Sequence, residues 1–137
     1  GGGVGIGYSQ HAGQVTVVEG TQASGRRADL ITLSEKGEIW IVEIKSSIED
    51  FRVDRKWPDY RRYCDRLFFA THAGVPLEIF PEDCGLFLSD GYSGHMLRDA
   101  PEHRLPPATR KSVTLDFSRA AAQRLLAAEW AAQLKSV

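Results

Sequence analysis

The chain has 137 residues, of which 42% are hydrophobic and 26% charged, and its formal net charge is −1. This length allows one ordinary hydrophobic core, and the composition is that of a folded domain rather than a disordered chain. We therefore predict a single domain over residues 1–137. Residues 1–14 are expected to be flexible or irregular, because six of the first thirteen residues are glycine and no helical periodicity is present.

The sequence contains no membrane or export signal that we recognise. No stretch reaches the roughly 18 consecutive apolar residues of a membrane span, and no signal peptide is visible. The two cysteines, Cys64 and Cys84, do not form a metal-binding spacing or a disulfide framework, so we interpret both as core side chains. We expect a cytoplasmic protein without a membrane partner. No coiled-coil or interface motif indicates an oligomeric state.

After a first predicted strand at residues 15–18, the most informative elements are two strands at residues 28–33 and 39–44. The second strand reads Ile-Trp-Ile-Val-Glu-Ile, which is typical of a buried strand except for Glu43. An ionised carboxylate in such a strand costs several kcal/mol unless something such as a bound divalent cation compensates it. Glu43 and Lys45 share one face of the strand because side chains alternate. The acid and the base therefore indicate a site.

The length of the turn between these strands decides whether Asp29 joins that site. A three-residue loop at residues 35–37, with Gly37 in the left-handed conformation, is a common hairpin connection. This loop would place Asp29 directly opposite Glu43, with roughly 5 Å between their Cβ atoms. A four-residue loop would instead put Asp29 on the face of Trp40. We predict the three-residue loop.

Two facing carboxylates repel each other unless a cation or a proton lies between them. Such a pair of oxygen ligands suits a hard ion such as Mg²⁺, and a nearby lysine can stabilise developing negative charge. These groups suit phosphodiester hydrolysis. The alternative interpretation is that Glu43 and Lys45 form only a polar strand end and that Asp29 is a solvated strand start.

These residues resemble a known motif. Asp29 followed by Glu43-x-Lys45 resembles the PD-(D/E)XK nuclease signature, with Ala28 where a proline often stands. More specifically, a series of blocks between about residues 15 and 126 resembles the MmcB-like family of bacterial DNA repair proteins. These blocks are residues 24–29, 37–47, 54–60, 63–66, 81–86, 100–105 and 110–111.

The resemblance implies an α/β, restriction-endonuclease-like fold with a central mixed sheet flanked by helices. It implies that Asp29, Glu43 and the backbone carbonyl of Ile44 bind Mg²⁺ (or Mn²⁺), and that Lys45 acts on the nucleophilic water. DNA is the implied substrate, with other DNA repair proteins as further partners.

The chain departs from this pattern at two places. Many members of the superfamily carry Gln-x-x-x-Tyr on the next helix, and the equivalent here is Lys56-x-x-x-Tyr60, in which a cation replaces the amide. The superfamily also usually has a helix before the first strand, which sometimes carries a further acid, and no helix is predicted here. Here the early acid is Glu19, which could face the metal or lie at a solvated strand end.

A basic segment follows the acidic site in the sequence. Residues 52–66 carry a net charge of +3 and contain Trp57, Tyr60 and Tyr63. Cations there could neutralise phosphates and exposed aromatic rings could stack on bases. For Trp57 and Tyr63 we favour packing against the sheet. The predicted DNA-binding residues are Arg27, Arg55, Lys56, Tyr60, Arg61 and Arg62.

The remaining chain is predicted to be scaffold. Ser47 and Asp50 resemble a capping box that opens a helix, which Pro58 interrupts or restarts. Short strands are predicted at residues 67–71, 85–88 and 92–97, and an extended loop at 101–107. Asp116 is predicted to cap a final helix that continues to about residue 133.

The sequence thus predicts a metal-dependent DNA nuclease, a Mg-dependent deoxyribonuclease acting in DNA repair. Two alternatives remain open. One is a catalytically silent DNA-binding adaptor on the same fold, and the other is a small-ligand-binding domain with a relict acidic pair.

Overall fold

The computed structural model describes residues 7–8, 14–18, 29–91 and 93–136. The described strands form one sheet whose spatial order follows the chain. They are β1 (Gly7–Tyr8), β2 (Gln14–Val18), β3 (Leu30–Ser34), β4 (Ile39–Ile44), β5 (Arg66–Thr71), β6 (Gly85–Ser89) and β7 (Gly94–Arg98). Within the segment 1–14, which the sequence analysis expects to be irregular, β1 and the first residue of β2 are described.

The described helical segments lie mainly between β4 and β5 and at the end of the chain. They are helix α1 (Ile48–Val53), helix α2 (Pro107–Lys135) and two 3₁₀ segments at Trp57–Tyr63 and Leu77–Ile79. None of the helices in the described ranges is both long enough and apolar enough to cross a membrane.

The sheet is mixed. Strands β1 to β4 are antiparallel neighbours, β4, β5 and β6 run parallel, and β7 returns antiparallel to β6. The parallel strands need crossovers, and α1 with the first 3₁₀ segment supplies the one between β4 and β5. The α/β class with a central mixed sheet is therefore confirmed, and it is consistent with a restriction-endonuclease-like core.

The hairpin between β3 and β4 has the register that the three-residue loop requires. Leu33 pairs with Ile39, and the N–H of Ser34 donates to the carbonyl of Glu38 at 3.0 Å. Gly37 has φ +83°, a left-handed conformation that glycine adopts without steric cost. The expected turn chemistry is confirmed, so Asp29 lies opposite Glu43.

Alternating residues of β4 enter two different cores. Ile39 and Ile41 belong to the larger core, which also contains side chains of both helices. Trp40 and Val42 belong to a smaller core on the opposite face of the sheet. Phe51 of α1 and Val113 and Phe117 of α2 pack with the larger core, so both helices lie on the face that carries Glu43 and Lys45.

The sequence predicts the start of α1 correctly but not the start of α2. The side chain of Ser47 caps α1 by accepting the N–H of Asp50 at 3.0 Å, as expected. Helix α2, however, begins at Pro107 rather than near Asp116. A proline suits the first position of a helix because its missing N–H would have no partner there. Adjacent prolines therefore mark a helix start here, and Asp116 lies inside the helix.

A buried ion pair fixes the start of β4. Asp65 is 1% exposed, and its carboxylate accepts the N–H of Ile39 at 2.8 Å and the N–H of Leu105 at 2.9 Å. It also accepts two bonds from the Arg110 guanidinium, at 2.6 and 2.8 Å. Asp65 thus connects β4, the loop at residues 99–106 and α2.

Candidate active site

The acidic pair lies where β3 stops pairing with β4. The last residue pair of that ladder is Leu30 with Val42, so the backbone of Ile44 has no ladder partner in β3. The carboxylate of Asp29 accepts the N–H of Ile44 at 2.8 Å. In return, the N–H of Asp29 donates to Oε2 of Glu43 at 2.9 Å. These two bonds hold the carboxylates of Asp29 and Glu43 at one end of β4.

Glu43 is buried without full compensation. Glu43 is only 4% exposed to solvent. Burial raises the pKa of Glu43 to about 7; the bond from the Asp29 N–H opposes this shift, and the negative charge of Asp29 adds to it. Lys45 lowers the pKa and Asp54 raises it by smaller amounts. The site therefore disfavours a second negative charge unless a cation is present.

Lys45 is also buried, and Asp54 holds it. The ammonium of Lys45 lies 2.5 Å from Oδ2 of Asp54, and their side chains are 7% and 15% exposed. The other oxygen of Asp54 accepts the N–H groups of Lys56 at 2.8 Å and Trp57 at 3.3 Å. Burial opposes ionisation of Asp54, but the bonds from Lys45 and from these two N–H groups lower its pKa.

Asp54 is a member of the candidate site that the sequence does not indicate. It follows α1, nine residues after Lys45. Its one signal in the sequence is an acid just before a helical turn that contains a proline, and this signal predicts a cap. Nothing in the sequence shows that the same carboxylate turns back to the lysine on β4.

The acidic pair fits a hard divalent cation. One oxygen of each carboxylate is bonded to a backbone N–H, and the other makes no hydrogen bond with the described residues. The carbonyl of Ile44 points to the same side of β4 as its N–H, which contacts Asp29. Within the described ranges, no group of three or more His, Cys, Asp or Glu side chains could hold a metal. Mg²⁺ needs only one or two carboxylates because it keeps several waters.

The basic residues predicted to bind DNA differ in whether their side chains are exposed or already form contacts within the protein. Arg55, Lys56 and Arg62 are exposed. Arg61 instead forms an ion pair with Asp83 at 2.9 Å and lies 5.9 Å from the centre of the Trp57 ring.

Of the two other predicted DNA-binding residues, one is buried and one lies outside the described ranges. Tyr60 is 4% exposed and belongs to the larger core, so its ring cannot stack on a base while the core is intact. We correct that assignment. Arg27, like the early acid Glu19, lies outside the described residues.

The remaining aromatic residues and the cysteines are structural. Trp57 packs edge-on against Phe69 with ring centroids 5.2 Å apart, and Tyr63 packs on the larger core. The preference for packing over base stacking is therefore confirmed for both. Cys64 and Cys84 are buried free thiols, as expected for core side chains.

The chain is similar to known proteins in sequence and in fold. Residues 6–132 match the model of the family described as DNA repair protein MmcB-like. The chain belongs to the MmcB-like family. A solved structure of a protein of unknown function from Silicibacter pomeroyi shares this MmcB-like fold with a TM-score of 0.82 and 44% identity. The match covers 85% of this chain and 80% of that one.

Proposed function

We propose that this MmcB-like protein is a metal-dependent DNA nuclease that hydrolyses phosphodiester bonds during DNA repair. The observation that supports this function best is the pair of carboxylates on Asp29 and the buried Glu43, on the same strand end as the buried Lys45. The family description supports a role in DNA repair. A buried carboxylate whose charge is as little compensated as that of Glu43 is more typical of a functional site than of a scaffold.

Asp29, Glu43 and the Ile44 carbonyl would hold Mg²⁺ (or Mn²⁺). When bound, the ion would supply Lewis-acid stabilisation of the charge that develops on the phosphate. The pair is suited to this because the carboxylates are fixed by backbone bonds and need no rearrangement. Glu43 would lose its proton when the cation compensates its burial.

Lys45 would orient the attacking water or stabilise a phosphate oxygen. An ammonium has three N–H donors, and the contact with Asp54 uses one of them. Asp54 therefore fixes the direction of the ammonium and leaves two donors for the reacting groups. A fixed donor in a site with little water stabilises developing charge more than a mobile one does.

The exposed side chains of Arg55, Lys56 and Arg62 would bind the phosphate backbone of DNA. Arg55 and Lys56 follow Asp54 directly in the chain, so the bonds of Asp54 to the N–H groups of Lys56 and Trp57 connect these two residues to Lys45. Arg61 and Tyr60 are left out of this surface because each has a structural role.

A cleavage assay tests this function. The wild type would be incubated with Mg²⁺ or Mn²⁺ and single-stranded, duplex, forked and nicked DNA. We expect cleavage of at least one form, and a loss of about 10²–10³ in rate for Lys45→Ala. Binding of the same DNA in EDTA should change no more than a few-fold, since one cation contributes little to backbone binding. Lys36→Ala, which removes an exposed lysine at the other end of β4, is the matched control.

The second candidate is a catalytically silent DNA-binding adaptor. The short ion pair between Lys45 and Asp54 favours it, because a fully neutralised lysine can serve the fold alone. An adaptor would bind DNA through Arg55 and Arg62 and cut none of the four DNA forms with either metal. That result would end the nuclease proposal.

A further inference from the structure

A cavity lies beside the end of β4. It is lined by Ile44, whose side chain lies on the face opposite to Glu43, and also by Lys45 and Ser46. Its volume is about 710 Å³, which is within the usual range for ligand pockets. Ile44, Leu30 and Ala70 contribute apolar side chains from adjacent strands, and the loops at residues 72–74 and 89–91 complete its wall. The cavity therefore lies at the carboxyl-terminal ends of the three parallel strands β4, β5 and β6, where open α/β sheets commonly bind ligands.

The interior of this cavity is apolar and continues from an aromatic cluster. Leu30 and Ala70 also pack against the smaller core, in which the rings of Trp40, Phe68 and Phe87 follow each other at centroid distances of 4.8 Å. Ile44 is 49% exposed, although it lies in the middle of the sheet. The apolar surface thus extends from the smaller core to an opening beside the acidic site.

The wall of the cavity is held in place by side-chain bonds. Thr71 Oγ1 donates to the carbonyl of Lys45 at 2.8 Å. Nδ1 of His72 accepts the N–H of Gly74 at 3.0 Å, so Nε2 carries the proton and donates to the carbonyl of Ser46 at 2.8 Å. The segment after β4 is therefore fixed to the segment after β5, and the cavity is formed before any ligand binds.

We infer that this cavity binds one unpaired base of a DNA strand. The inference rests on the proposed function, because a phosphate held near Glu43 and Lys45 brings the adjoining nucleoside to the end of β4. Ile44 lies between those two residues and directs its side chain to the other face, into the cavity. A base is flat and apolar on its faces and polar at its edges, which suits an apolar interior with Ser46 and Asp90 in the wall. A base within a duplex is stacked and paired, so the substrate class is DNA with unpaired bases.

Abasic DNA separates binding of a base from binding of the backbone. The probes are a single-stranded oligonucleotide of about ten thymidines and an abasic oligonucleotide with the same number of phosphates, titrated in EDTA by fluorescence anisotropy. We expect the wild type to bind the thymidine strand about tenfold more tightly, which is the usual effect of one buried base. The variant Ala73→Trp, which places a large ring in the cavity from an exposed loop position, should bind both strands equally.

The control variant is Ala128→Trp, which adds the same ring on an exposed part of α2 away from the cavity. It should keep the tenfold preference. An equal affinity of the wild type for both strands would overturn the inference, as would an unchanged preference in Ala73→Trp. Cleavage with Mg²⁺ is measured separately on the wild type. If the protein cuts DNA but shows no preference for bases, the proposed function stands and the inferred role of the cavity is wrong. If it shows the preference but does not cut, the role of the cavity stands and the proposed nuclease function is wrong.

Discussion

Strand β4 has a buried carboxylate at each end, and the two differ in how they are compensated. At the start of β4, Asp65 accepts four hydrogen bonds, two of them from Arg110. Burial opposes its ionisation, but these bonds outweigh it and lower the pKa of Asp65. At the other end, Glu43 accepts one bond from the N–H of Asp29 and faces that residue's negative charge.

The contrast separates a structural charge from a candidate functional one. A buried carboxylate that has its own guanidinium and all its donors can serve the fold without a ligand. The negative charge of Glu43 is not fully compensated, because Asp29 beside it is also an acid and Lys45 is already paired with Asp54. That remaining negative charge is what a divalent cation would neutralise, and local conflicts of this kind are expected at functional sites.

The largest predicted effect on stability concerns Asp65 at the start of β4. Arg110→Met should lower the free energy of unfolding by about 3–5 kcal/mol, because it leaves the charge of Asp65 buried with only backbone donors. Denaturant unfolding at pH 7 measures this. Arg119→Met, at an exposed position of the same helix, should cost less than about 0.5 kcal/mol. Equal losses in the two variants would contradict the structural role of Asp65.

The same ion pair predicts a pH dependence at the acidic end of the scale. Because the pKa of Asp65 is lower in the folded than in the unfolded protein, its stabilisation is present above the ordinary pKa of about 3.9 and is lost as the pH falls through the folded value. Arg110→Met should remove this part of the acid dependence.

The sequence predicts the candidate functional end of β4 better than the structural one. The site of Asp29 and Glu43 follows from local rules: a glycine turn sets the register of one hairpin, and strand alternation sets the faces. The contacts of Asp65 with Arg110 and of Lys45 with Asp54 depend on packing between segments that are separated in the chain, so no local pattern contains them. The start of α2 was missed for another reason: two prolines suit both an extended loop and a helix start.

A smaller effect is predicted for Glu43→Gln without metal. The pKa of Glu43 is about 7 in the fold and 4.5 ordinarily, so the folded protein binds this proton more tightly. The stability of the wild type should therefore fall as the pH rises from about 4.5 to 7, by roughly 2–3 kcal/mol. Lys45, Asp29 and Asp54 are the charged groups acting on Glu43. Glutamine keeps the acceptor for the Asp29 N–H and has no charge, so this fall should be absent in the variant.

Metal should raise the stability of the wild type more than that of Glu43→Gln. At pH 8, Mg²⁺ or Mn²⁺ at about thirty times its dissociation constant should stabilise the wild type by about 2 kcal/mol through binding to the folded state. Thermal unfolding of Glu43→Gln should respond much less. Equal shifts of Tm in the two proteins would mean that the ion binds elsewhere.

The smallest predicted effect tests whether Asp54 positions Lys45. In Asp54→Asn, the amide oxygen can still accept the N–H groups of Lys56 and Trp57, but the NH₂ group then faces the ammonium of Lys45, donor against donor. We expect kcat to fall about tenfold, or about 1.4 kcal/mol, with KM and DNA affinity in EDTA nearly unchanged. Glu49→Gln removes one negative charge from an exposed position of α1 and should leave kcat as it is. The variant should lose stability whichever role Asp54 has, because it breaks a buried ion pair. A purely structural role would leave the kcat of the folded fraction unchanged, so unfolding and active-site titration are measured on the same samples.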